Sequence, residues 1–97
     1  MSFSLHPAAE AEFQLAATGY GERAGRNIAL AFLAEFERLA ELLASNPGLG
    51  TPARDGLRIH PMRRFPYSLV YRGAALGIRI LVVAHQHRQP EYWRGRA

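Results

Sequence analysis

The hydrophobic period of the chain changes once. From Pro7 to Ala44 apolar residues recur every three or four positions, the spacing of one helix face. From Leu57 to His85 they alternate every second position, the spacing of a strand with two distinct faces. Between these regions lies "SNPGLGTP", whose prolines and glycines stop a helix and cannot pair in mid-sheet. Helices gathered first and strands afterwards predict an α+β domain, with the helices on one face of the sheet.

In the first region, "HPAAEAEFQLAATGYG" places Pro7 in the first helical turn, where its missing N–H costs nothing. Glu10 and Glu12 lie near that helix start and favour its dipole. Ala9, Phe13, Ala16 and Tyr20 share a face, and Gly19 and Gly21 are expected to end the helix. A second helix is expected over residues 23–44. Its stripe is Ile28, Phe32, Phe36, Leu39 and Leu43, widened by Leu33 and Ala40, with Arg38 three residues from both Glu35 and Glu41. So short a connection predicts an antiparallel helix hairpin.

The second region reads as three antiparallel strands, "GLRIH", "YSLVYR" and "IRILVVAH". "RRFP" and "GAALG" connect them, and "FSL" at residues 3–5 is a candidate edge strand. The last strand is apolar on both faces for most of its length, as expected of a central strand. Strict alternation puts Ile78, Ile80, Val82 and Ala84 on one face, and Arg79, Leu81, Val83 and His85 on the other. On that reading Arg58, Arg72, Arg79 and His85 share an open basic face. A slip of one residue would reverse each assignment. Pro90 is expected to end the sheet, leaving "EYWRGR" as a separate turn or short helix.

The 97 residues suit one domain, taken as 1–97, with a modest core. The absence of cysteine excludes disulfides and thiolate metal sites. No apolar run approaches the roughly 20 residues of a membrane span, and the N-terminus does not resemble a secretory signal. A soluble cytoplasmic protein is the simplest expectation. His85, His87 and His60 form a weak metal-ligand set, with no nearby carboxylate to complete it, and neither metal nor cofactor is expected. The net charge is +4, and all twelve basic side chains are arginine. Residues 1–53 carry a net −3 and residues 54–97 a net +7. High genomic GC content explains arginine in place of lysine, but not its clustering. Such a basic half points to nucleic acid, a nucleic-acid machine or an acidic protein partner.

Four stretches, "LHPAAEAEF", "FERLAELLASNPGLGTP", "LRIHPMRRFPYSLVYR" and "ILVVAHQHRQPEYWRGR", occur in this order. In that order and spacing the chain resembles ParE-type toxins of the RelE/ParE superfamily, the toxin halves of bacterial type II toxin–antitoxin modules. The resemblance runs from about Leu5 to Arg96. It implies a β-α-α-β-β-β fold, with the helix hairpin packed on a small antiparallel sheet. It also implies an antitoxin whose acidic C-terminal region wraps the toxin and folds on binding, giving a toxin–antitoxin hetero-oligomer. Arg58, Arg72 and Arg79, with Phe36 and Leu33 on the helix hairpin, are the expected antitoxin contacts.

Two activities follow from the resemblance, with a degenerate toxin that binds only its antitoxin as a third reading. ParE-like members act on DNA gyrase, which requires an exposed surface rather than chemistry. Arg88, Trp93, Arg94 and Arg96 are the expected anchors, because tryptophan and arginine dominate interface energetics. Trp93 has a second reading, as a latch folded against the sheet, and Arg94 as a partner of Glu91 or of a helix acid. RelE-like members cut messenger RNA on the ribosome. That requires an acid or base, for which His85 is the candidate, a phosphate clamp from Arg58, Arg72 and Arg79, and an orienting group such as Tyr71 or Tyr67. His85 has a structural reading too, as the cap of its strand.

Overall fold

The computed structural model describes residues 2–88 and 91–97, so the expected break at Pro90 lies outside the described residues. Five strands and two helices follow the order β1 (Ser2–Leu5), α1 (Pro7–Ala24), α2 (Arg26–Ser45), β2 (Thr51–Pro52), β3 (Arg58–Pro61), β4 (Tyr67–Ala74) and β5 (Gly77–His85). The strands lie side by side as β1-β5-β4-β3-β2. This is the α+β arrangement that the period change predicts, with β4 in the middle of the sheet and β5 beside it. The sheet is mixed, because β1 pairs with β5 in parallel. No tight turn forces that pair into the antiparallel sense, since the whole helix hairpin lies between β1 and the other strands. No helix among the described residues is long and apolar enough to cross a membrane.

Helix α1 begins at Pro7, and the His6 side chain accepts a hydrogen bond from the Ala8 N–H at 3.0 Å. It does not end at Gly19 or Gly21 but runs through both to Ala24. Those glycines cost helix propensity, yet Tyr20 between them packs on Phe32 and Phe65, and tertiary packing prevails. The actual stop is Gly25, whose φ of 94° no helix tolerates; it alone joins α1 to α2. Helix α2 then buries the predicted stripe of Phe32, Phe36, Leu39, Ala40 and Leu43. Phe32 lies at the centre, with ring centroids 5.1–5.5 Å from those of Phe13, Tyr20, Phe65 and Tyr67.

Strand β5 departs from strict alternation. Val82 pairs with Val70, but Ile80 pairs with Tyr71, so Leu81 is an extra residue with no partner on β4. This is a β-bulge, and it reverses the faces beyond it. Ile78, Ile80 and Val83 join the helix-covered core. Leu81 and Val82 both enter a second cluster on the opposite face, with Leu57, Val70 and Trp93. The open basic face expected from the sequence is therefore a second, smaller core with a segment of the chain across it.

Candidate interaction surface

The segment lying across the second core is 91–97. Glu91 and Gly95 both adopt positive φ, 62° and 90°, which coils the segment into successive turns. Its backbone–backbone hydrogen bonds are internal among the described residues: Arg94 N–H to Glu91 and Arg96 N–H to Trp93. Side chains make the attachment. Trp93 is 8% exposed and packs with Leu57, Val70, Leu81 and Val82. Clefts of about 290 and 310 Å³ flank it, the first lined by Ala53, Ile59, Val70 and Ala84, the second by Arg54, Arg72 and Arg94.

The other attachment is at Glu12 on α1. Its carboxylate accepts from the Tyr92 hydroxyl at 2.7 Å, from both terminal nitrogens of Arg96 at 2.9 and 3.0 Å, and from the Val83 N–H at 3.1 Å. Arg96 also donates to the Leu81 carbonyl at 3.0 Å, the residue that forms the bulge. Burial alone raises the carboxyl pKa of Glu12; Arg96, Tyr92 and the Val83 N–H outweigh it and leave the group below its ordinary value. Burial and the hydrogen bond to Glu12 push the Tyr92 hydroxyl up to about 12, so it remains a donor at any physiological pH.

Arg96 is thus not an exposed anchor, and Trp93 takes the latch role. Both were legible as interface residue types, and both are consumed by the fold. Arg88 and Arg94 remain exposed. The Arg88 guanidinium stacks 3.9 Å from the Tyr92 ring centroid, and Arg94 sits 3.7 Å from Glu91, which also pairs with Arg54 at 3.3 Å. Glu12 was missed as a site residue because its partners lie some seventy to eighty-four positions away.

Of the residues of the nuclease reading, His85 and Tyr67 come together, lining one cavity of about 230 Å³ with Arg23 and Arg88, whereas Tyr71, Arg58 and the Arg72–Arg79 pair lie elsewhere. Tyr71 is 1% exposed; its hydroxyl donates to the Pro47 carbonyl at 2.7 Å and accepts from the Gly50 N–H at 2.8 Å. Arg58 lies opposite Tyr71, on the helix side of the sheet rather than the open side. It donates to the Gly50 carbonyl at 2.7 Å. Gly50 must be glycine, because a Cβ there would sit 2.5 Å from the Tyr71 hydroxyl oxygen. Arg72 and Arg79 pair across β4 and β5 and both donate to an Ala97 main-chain oxygen at 3.3 Å. His85 lies at the far end of β5, six residues from Arg79 or about 20 Å along a strand. The bulge turns it to the helix side, edge-on to Tyr67 at 5.1 Å. Its Nδ1 accepts from the His87 N–H at 3.1 Å, the capping role. No set of three potential ligands for a metal occurs among the described residues. Of the two α2 residues expected at an antitoxin interface, Leu33 is exposed, whereas Phe36 is buried against Phe13 and Phe3 and offers no outer surface.

The depressed Glu12 pKa has a testable sign. A carboxyl whose folded pKa lies below its unfolded value stabilises the fold above the unfolded value, and that stability is lost as pH falls through the folded one. The Glu12–Arg96 attachment is therefore fully present at pH 7, begins to weaken below the ordinary value of 4.5 and is lost as pH falls through the depressed one. Trp93 is the only tryptophan, so its emission reports this directly. Acidification from pH 7 to below the depressed Glu12 value is expected to red-shift it, with a smaller change over the same range in Glu12→Gln.

The family described as ParE toxin of type II toxin-antitoxin system, parDE, matches residues 3–90. A solved structure titled "Chromosomal ParDE TA system from P. aeruginosa" superposes with a TM-score of 0.75 at 25% identity, covering 88% of this chain and 95% of that one. No curated protein matches by sequence.

Proposed function

This chain belongs to the ParE toxin family of type II toxin–antitoxin systems, and on that premise we propose that it arrests growth by binding DNA gyrase. The exposed Arg88 and Arg94 of the C-terminal region make the contact, and a cognate antitoxin neutralises the protein in the cytoplasm. The observation that carries this reading is the disposition of the polar residues. Tyr71, Arg58 and His85 are engaged in holding loops and turns, while Arg94 projects from a segment fixed at both its apolar and its ionic contacts, and Arg88 stacks on that segment's Tyr92. A preorganised, charged surface suits recognition of a protein, where ordering costs are met before binding.

Antitoxin recognition is assigned to Leu33 on α2 and to Arg72 and Arg79 on the opposite face, with Arg58 near the β2–β3 edge. These residues surround the molecule, so one acidic segment contacting all of them would have to wrap it. Leu30, also exposed on α2, extends the apolar patch next to Leu33.

Expression in growing bacteria without antitoxin tests the reading. DNA synthesis should stop and chromosome breaks accumulate while translation continues, and co-expressed antitoxin should restore growth. Rapid translation arrest with messenger RNA cut on the ribosome would contradict it in favour of RNA cleavage. Harmless expression of folded protein would leave only antitoxin binding.

A further inference from the structure

Glu12 joins three parts of the chain that the sheet alone does not hold together: α1, the bulged stretch of β5, and the segment 91–97. The bonds to Tyr92 and Arg96 are the only described contacts from α1 to that segment's polar groups. The rest of its attachment is the Trp93 plug, the Ala97 contacts of Arg72 and Arg79, and the exposed Arg54–Glu91 pair. Exposed ion pairs contribute little, whereas hydrogen bonds to a partly buried ionised group are among the stronger ones. Arg96 and Glu12 side chains are 19% and 15% exposed, so this pair is largely shielded from water.

The two exposed arginines hang on this attachment. Arg88 stacks on the Tyr92 ring, whose hydroxyl ends on Glu12. Arg94 lies between Trp93 and Arg96, with its N–H bonded to Glu91 within the same coil. We propose that Glu12 is a positioning residue: without touching the target, it fixes segment 91–97 on the sheet and so sets where Arg88 and Arg94 stand. The proposal rests on the reading that this surface engages the toxin's target.

Two variants separate positioning from folding. Glu12→Gln keeps an oxygen for the Val83 N–H but removes the charge that Arg96 grips. Arg96→Ala leaves Glu12 and its Val83 bond intact. Losing a charge-assisted hydrogen bond is expected to lower the docked-to-released ratio of the segment by about 10- to 100-fold. In both variants acrylamide should quench Trp93 more strongly, far-UV circular dichroism should be unchanged, and gyrase inhibition and growth arrest should weaken in parallel. The double variant should lose no more than the worse single one, because both remove one interaction. Trp93 still shielded in both variants would overturn the proposal. So would a freed Trp93 with undiminished growth arrest. If the wild-type chain leaves gyrase untouched, the gyrase reading falls. The role of Glu12 is then decided by quenching and growth arrest, neither of which needs gyrase.

Discussion

Phe32→Ala is expected to destabilise the fold by about 3–5 kcal/mol, the range for removing a fully buried aromatic side chain. Phe32 has no exposed surface, and four aromatic rings contact its own from α1, the β3–β4 connection and β4. Rings held by separate elements cannot all move into one vacancy, so the cavity should persist. A domain of this size has a total stability of roughly 5–15 kcal/mol, so the variant should be only marginally folded. Urea unfolding checks this, through a lower midpoint at unchanged slope. The neighbouring Leu33→Ala, at an exposed position, should change stability by only about 0.5 kcal/mol. Equal losses at the two sites would mean that the stripe of α2 is not oriented as described.

Tyr71→Phe is expected to cost about 1–3 kcal/mol, because it strands the Gly50 N–H in a buried site. The Pro47 carbonyl loses its donor in the same step. The hydroxyl of Tyr71 ties β4 to the loop that returns the chain from α2 to the sheet, and no smaller group spans that gap. Gly50→Ala should be destabilising as well, since the new methyl would displace the same hydroxyl. Thermal unfolding of both variants measures the effect. A Tyr71→Phe protein as stable as wild type would remove the structural account of this tyrosine and reopen a catalytic one.

How much of this was legible depended on whether each signal was local. The change of period sufficed for the helix hairpin and for β3, β4 and β5, because amphipathic spacing is written within a dozen residues. Gly19 and Gly21 misled as a helix end, since the packing of Tyr20 that overrides them comes from α2 and the β3–β4 connection. The bulge at Leu81 was hidden because "ILVV" is apolar at every position, so either register satisfies both faces. From that one extra residue follow the turning of His85 to the helix side and the entry of both Leu81 and Val82 into the second core. Arg58 went astray for a different reason, its position opposite Tyr71 being set by β3–β4 register.

The C-terminal site shows the same division. Its residue types announced an interface, and the sequence left Trp93 open as anchor or latch. Arg96 read as exposed because its partner is not the carboxylate near it in sequence, Glu91, but Glu12 on α1. Pairings across such separations become visible only once the sheet and helices have brought the two ends together.

On the proposed function, this ParE-family chain acts on gyrase through a surface rather than by cutting RNA. Purified chain mixed with gyrase, ATP and relaxed plasmid tests it most directly. Near-stoichiometric wild-type protein should abolish supercoiling, and the charge reversals Arg88→Glu and Arg94→Glu should restore it while leaving the fold intact. Full supercoiling activity in the presence of excess folded wild-type protein would contradict the account.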